Sequence, residues 1–74
     1  MPRVYDKDPY EILGIPPNAT ASQIKQAYHR LARQYHPDLN KDARASERMK
    51  DINWANGILS DPQERSMYDH WRAF

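Results

Sequence analysis

His36, Pro37 and Asp38 stand side by side, directly after a stretch that carries Lys25, His29, Arg30 and Arg33. An imidazole and a carboxylate this close could act as an acid–base pair, help to hold a metal, or present hydrogen-bonding groups to another protein. The first two uses lack supporting residues. His29 precedes His36 by seven positions and projects from the polar side of a helical pattern, and no third ligand stands at a suitable spacing. No Ser or Thr has a set of partners that would make it a nucleophile, Cys is absent, and 74 residues leave little room for a substrate pocket. The expectation is a protein that is not an enzyme, needs no metal or cofactor, and uses these groups to contact a partner.

Such a contact has definite chemistry. The Asp38 carboxylate can accept a bidentate hydrogen bond from a partner arginine, which is geometrically specific. Pro37 has no N–H and a fixed φ, so the neighbouring side chains are held for docking at a lower entropy cost. His36 can stiffen the loop or reach the partner through either ring nitrogen. Between Glu11 and Asp38 there is no acidic residue, so Lys25, Arg30 and Arg33 form a segregated basic stretch in a chain of net charge +1. A charged helix face is most often only a solvated one. Next to His-Pro-Asp, the same stripe reads better as a docking face steered towards an acidic surface. A nucleic-acid interface on this stripe is a weaker alternative, because three formal cations in a near-neutral chain support nonspecific binding at most.

Four helices position these groups, and the expected class is all-α. Asp8-Pro9-Tyr10-Glu11 combines an N-cap, a proline at the first helical position and a glutamate at N3, so a helix starts at Pro9. Gly14 and Pro16-Pro17 end it at Leu13. Thr20-Ala21-Ser22-Gln23 is a capping box that opens a long second helix. In it Ile24, Ala27, Tyr28, Leu31, Ala32 and Tyr35 recur at amphipathic spacing, opposite Lys25, Gln26, His29, Arg30 and Arg33. The helix stops at His36, since the residue before proline is biased to extended geometry. After a polar loop, Asp42 caps a third helix with Ala45, Met49, Ile52, Ala55 and Leu59 on one side. Asp61-Pro62-Gln63-Glu64 repeats the first start signal and opens a short fourth helix. Two long amphipathic helices joined by a short loop fold back as an antiparallel hairpin, with His-Pro-Asp in the bend.

The chain is one small domain with a thin core, stabilised by helix packing because disulfides and thiolate zinc sites are excluded. The start is polar and charged, unlike a signal peptide, and no apolar run approaches the roughly 20 residues of a membrane span. A cytoplasmic monomer is expected. Tyr10, Tyr35 and Tyr68 are expected in the core, Tyr28 half in the core and half at an interface, and Trp54 is a candidate contact if it faces outwards.

Several blocks resemble the J-domain family in order and spacing: Tyr10-Glu11-Ile12-Leu13-Gly14, Ile24-Lys25-Gln26-Ala27-Tyr28, Tyr35-His36-Pro37-Asp38, Ile52-Asn53, and Leu59-Ser60-Asp61-Pro62 through Arg65 to Tyr68-Asp69. His-Pro-Asp alone is a weak signal; with the flanking blocks it is highly specific. The resemblance covers about residues 8 to 70. It implies a module that binds a DnaK-type 70-kilodalton heat-shock chaperone in its ATP state and accelerates hydrolysis, so that the client is trapped. It assigns His36, Pro37 and Asp38 to the trigger, and Lys25, Tyr28, Arg30 and Asn40 to docking; Lys50 is a weaker transfer, and the reading of the basic stripe adds His29 and Arg33 to the docking face. A J-like adaptor without chaperone stimulation is the runner-up. Ending directly after the fourth helix, at Phe74, the chain reads as an N-terminal domain of a longer protein.

Departures from the family pattern are Met49, where phenylalanine is common, Asn56 followed by Gly57 late in the third helix, and His29, where lysine is common. Only Gln63 and Arg65 remain of a more basic stretch in the fourth helix, and a part in partner contact is secondary for both. Met packs less specifically than Phe, and Gly in a helix weakens it. A histidine in the basic stripe makes the docking charge depend on pH. Chaperone docking is expected to be modestly tighter at pH 6 than at pH 8, read as Kd by calorimetry; equal values would contradict it.

Overall fold

In the computed structural model, which describes residues 5–73, the helices are α1 (Pro9–Leu13), α2 (Ala21–Tyr35), α3 (Ala43–Leu59) and α4 (Pro62–Arg72). Each boundary follows from local chemistry. Asp8 accepts from the Tyr10 N–H at 2.9 Å and satisfies one of the free donors at the start of α1. At the other end Gly14 takes φ 68° and ψ 36°, the left-handed region in which a side chain would be strained. The Ile15 N–H then returns to the Tyr10 carbonyl at 3.0 Å and closes the helix end. The capping box of α2 is complete, with the Gln23 N–H on Thr20 Oγ1 at 3.1 Å and the Thr20 N–H on Gln23 Oε1 at 2.8 Å. Asp42 and Asp61 cap α3 and α4 by accepting from Arg44 N and Gln63 N, each at 2.9 Å. The Arg44 backbone and side chain also hold the Asp42 carboxyl below its ordinary range.

α3 is the element that packs on the other three, while α2 also touches α1. Its buried residues are Ala45, Ile52, Ala55, Ile58 and Leu59, and the last four share one cluster with Tyr10 and Leu13 of α1, Ile24 and Ala27 of α2, and Tyr68 of α4. Burial of each large apolar side chain contributes about 1.5–3 kcal/mol. Met49, Tyr35 and Trp54 pack half-buried against this core. Met49 therefore occupies its family position as a packing residue, and Trp54 is not the outward contact that full exposure would have made it.

Tyr5, which precedes α1, is also buried, with its ring 4.9 Å from Tyr68 in an edge-on arrangement and 5.2 Å from Trp71. Edge-on aromatic pairs contribute about 0.5–1.5 kcal/mol beyond the area they bury. Burial, and after it the Asp8 carboxylate, pushes the Tyr68 phenol up to about 12.

Arg65 ties α4 to the start of the chain. Its guanidinium donates to the Tyr10 hydroxyl at 3.0 Å and to the carbonyls of Pro17 and Ala19 at 3.1 and 2.6 Å. The Tyr10 hydroxyl in turn donates to Asp69 at 2.6 Å. Burial first, and this bond to Asp69 second, raise the Tyr10 pKa, so the phenol stays a donor. One planar guanidinium thus binds two loop carbonyls and the Tyr10 phenol at once, a task that its fork of donors suits. Nε and Nη2 of Arg65 are therefore committed to acceptors inside the domain.

Gly57 lies inside α3 and does not interrupt it. It is exposed, and a Cβ built there meets nothing within 4 Å. Gly57→Ala should therefore raise the unfolding free energy by about 1 kcal/mol, seen as a higher urea midpoint at unchanged slope. An unchanged or lower midpoint would contradict this account of α3.

Candidate partner-docking site

The α2–α3 loop is built around one carbonyl and one side-chain amide. His36 leaves the helix with φ −64° and ψ 134°, as the residue before a proline should. Its carbonyl accepts from the N–H groups of Leu39 at 2.9 Å and Asn40 at 2.8 Å. The Asn40 side chain then bridges the two long helices: Nδ2 donates to the Gln34 carbonyl at 3.3 Å, and Oδ1 accepts from the Asp42 N–H at 3.1 Å. Asn40 is therefore a staple of the loop, half-buried and occupied at both ends of its amide.

The imidazole of His36 also stiffens this turn. Nδ1 accepts from the Asp38 N–H at 3.1 Å, which places the proton of the neutral ring on Nε2, the nitrogen left for an outside partner. The Asp38 carboxylate lies 3.7 Å from Nδ1 and its side chain is 84% exposed. A carboxylate with this access can take both donors of a guanidinium. Next to it stands Leu39, 72% exposed.

On α2, Lys25, His29 and Arg33 stand at i, i+4 and i+8, and Arg30 lies beside them; all four are exposed. Among the described residues no carboxylate comes within ion-pair distance of Lys25, His29, Arg30 or Arg33. Arg30 and Arg33 stand three apart, a spacing at which like charges on a helix cost about 0.2–0.5 kcal/mol, and α2 has no acidic residue to compensate them. The His29 ring lies 5.6 Å from the Tyr28 ring. Tyr28 is half-buried and its hydroxyl donates to Asn53 of α3 at 2.9 Å. Lys50 is exposed on α3 and paired with Glu47 at 3.3 Å. It precedes Asn53 by three positions and so shares the side of α3 that meets Tyr28.

The structure thus brings His36, Pro37 and Asp38 together at the bend and aligns Lys25, His29, Arg30 and Arg33 along α2. It places Tyr28 and Asn40 where they also hold the hairpin. Among the described residues no group of three or more His, Asp or Glu could hold a metal ion, and no helix is long and apolar enough to cross a membrane.

A family model for the DnaJ domain matches residues 8–69, which takes in α1 to most of α4 and the whole loop. The chain belongs to the DnaJ-domain family. It is 65% identical over 65 residues to the chaperone protein DnaJ of Dictyoglomus thermophilum, a match that covers 88% of this chain and 17% of that protein. To the chaperone protein DnaJ 2 of Thermus thermophilus it is 60% identical over 63 residues, which covers 85% of this chain and 22% of that protein. The chain therefore spans about a fifth of the length of these relatives. All-α helical architecture and DnaJ-domain membership are what the sequence led one to expect.

Two features of this DnaJ domain were not read from the sequence. Leu39 gave a signal, one apolar residue in an otherwise polar loop, but not its outward aspect. Asn53 stood in a block that resembles the family, but its bond to Tyr28 was hidden because the two lie 25 positions apart.

Proposed function

We propose that this DnaJ domain docks on a DnaK-type 70-kilodalton heat-shock chaperone in its ATP state and accelerates hydrolysis, serving as the trigger module of a co-chaperone. The observation that carries the reading is the bend itself: an 84% exposed Asp38 carboxylate held beside His36 in a loop closed by internal hydrogen bonds. Relatives that bear the name chaperone protein DnaJ support the co-chaperone class.

The geometry supports a division of labour. The basic stripe of α2 steers the domain to an acidic surface and sets the on-rate. Asp38 then takes a partner arginine, and the fixed loop spares the complex most of the ordering cost that a flexible loop would impose. His36 offers Nε2–H as a donor while Nδ1 holds the turn. No group of this domain needs to touch the nucleotide. Hydrolysis is the chaperone's own chemistry, and the domain shifts the chaperone only by binding its hydrolysis-competent state more tightly than the alternative. A tenfold preference for that state corresponds to about 1.4 kcal/mol, well within what one buried charge pair can supply.

The test is single-turnover ATP hydrolysis by a DnaK-type chaperone with this chain and with His36→Gln. The parent is expected to accelerate hydrolysis. His36→Gln is expected to lose stimulation at unchanged helicity and unchanged urea midpoint, because His36 is exposed and outside the core. Full stimulation by His36→Gln, or none by a folded parent, would contradict the proposal.

A further inference from the structure

Leu39 is the most exposed large apolar residue among the described residues, at 72%. Isolated exposed leucines are common and usually need no explanation. Three features set this one apart. Its neighbours in the loop are His36, Asp38, Asn40, Lys41 and Asp42, so a polar residue would suit the position in the free domain equally well. Its backbone is fixed, with the N–H bonded to the His36 carbonyl at 2.9 Å and the next residue stapling α2 to α3. The side chain is therefore presented outwards by a rigid turn, and it contributes nothing to the core. Finally, it follows directly on Asp38, the exposed carboxylate, with the two Cα atoms one step of about 3.8 Å apart, so a partner surface that covers Asp38 lies next to Leu39.

We infer that Leu39 is an apolar anchor of the docking loop, which fills a nonpolar depression on the chaperone beside the cation that pairs with Asp38. An apolar group at the rim of a charge pair excludes water from it. A lower local dielectric strengthens the pair, and the leucine adds its own burial. The partner surface that fits this loop is thus mixed: a guanidinium for Asp38 and, next to it, an apolar site of the size of one leucine side chain. Leu39 would fix register and residence time, whereas the basic stripe of α2 governs the approach.

The inference rests on the chaperone docking proposed above, and the experiment separates the two. This chain and its Leu39→Ala, Leu39→Met and Leu39→Asn variants are titrated against ATP-loaded DnaK-type chaperone, with single-turnover hydrolysis as the readout at two salt concentrations. Leu39→Ala is expected to raise the half-saturating concentration on the order of tenfold at an unchanged plateau. Leu39→Asn, similar in size but polar, should be at least as weak, while Leu39→Met should stay within about twofold of the parent. The salt dependence should be the same for Leu39→Ala and parent, since no charge is lost. Because Leu39 lies outside the core, the urea midpoints should coincide and exclude misfolding as the cause. An active parent whose titration curve superimposes on that of Leu39→Ala, or of Leu39→Asn, overturns the anchor alone. A folded parent that neither binds nor stimulates overturns the chaperone reading and the anchor with it.

Discussion

With no cysteine to cross-link it, this small fold is held by the buried side of α3, on which α1, α2 and α4 all pack. A domain of this length buries only about 60% of the surface of its unfolded chain, so one helix has to serve as the shared wall of the core. Ala55 offers little bulk of its own in that core, and Ile52, Ile58 and Leu59 supply the volume. The orientation of α2, and hence that of the loop at its end, follows from this packing and from the Tyr28–Asn53 hydrogen bond between the two long helices.

The loop adds a second level of order. Its geometry is specified by polar groups rather than by burial: the His36 carbonyl, His36 Nδ1 and both ends of the Asn40 amide. Such bonds are each worth about 0.5–1.5 kcal/mol net, enough to select one turn conformation without adding much to global stability. The same residues thus appear in two capacities. Asn40 and Tyr28, which the family resemblance marks for docking, are anchored inside the hairpin, whereas Asp38, Leu39 and the cations of α2 face solvent. A substitution at Asn40 would disturb the presentation of Asp38 even if no partner atom ever touched the amide.

How much of this was legible in the sequence depended on the range of the interactions. Helix boundaries were legible because caps act within a few residues: Asp8 with Pro9, Thr20 with Gln23, Gly14 at the end of α1, Asp61 with Pro62. The amphipathic face of α2 was legible because that helix buries one side only. α3 was less so, since burial against three neighbours spreads its apolar positions and hides Ile58 beside the stripe that ends at Leu59. The burial of Tyr5 and the internal contacts of Arg65 could not be read at all. Arg65 finds its acceptors 46, 48 and 55 positions away, and nothing in local spacing announces such a contact. At the candidate site, residue types marked the basic stripe and the family resemblance marked His36, Pro37 and Asp38, while which side chains are committed internally shows only in the three-dimensional structure.

The central claim is that the free domain already holds the His36–Asn40 turn in the geometry that presents Asp38 and Leu39. Backbone 15N relaxation of the isolated chain tests this most directly. The account predicts order parameters for the Asp38, Leu39 and Asn40 amides close to those of α2 and α3, about 0.85. Values below about 0.6 would mean that the loop is flexible until a partner orders it, and would contradict the claim.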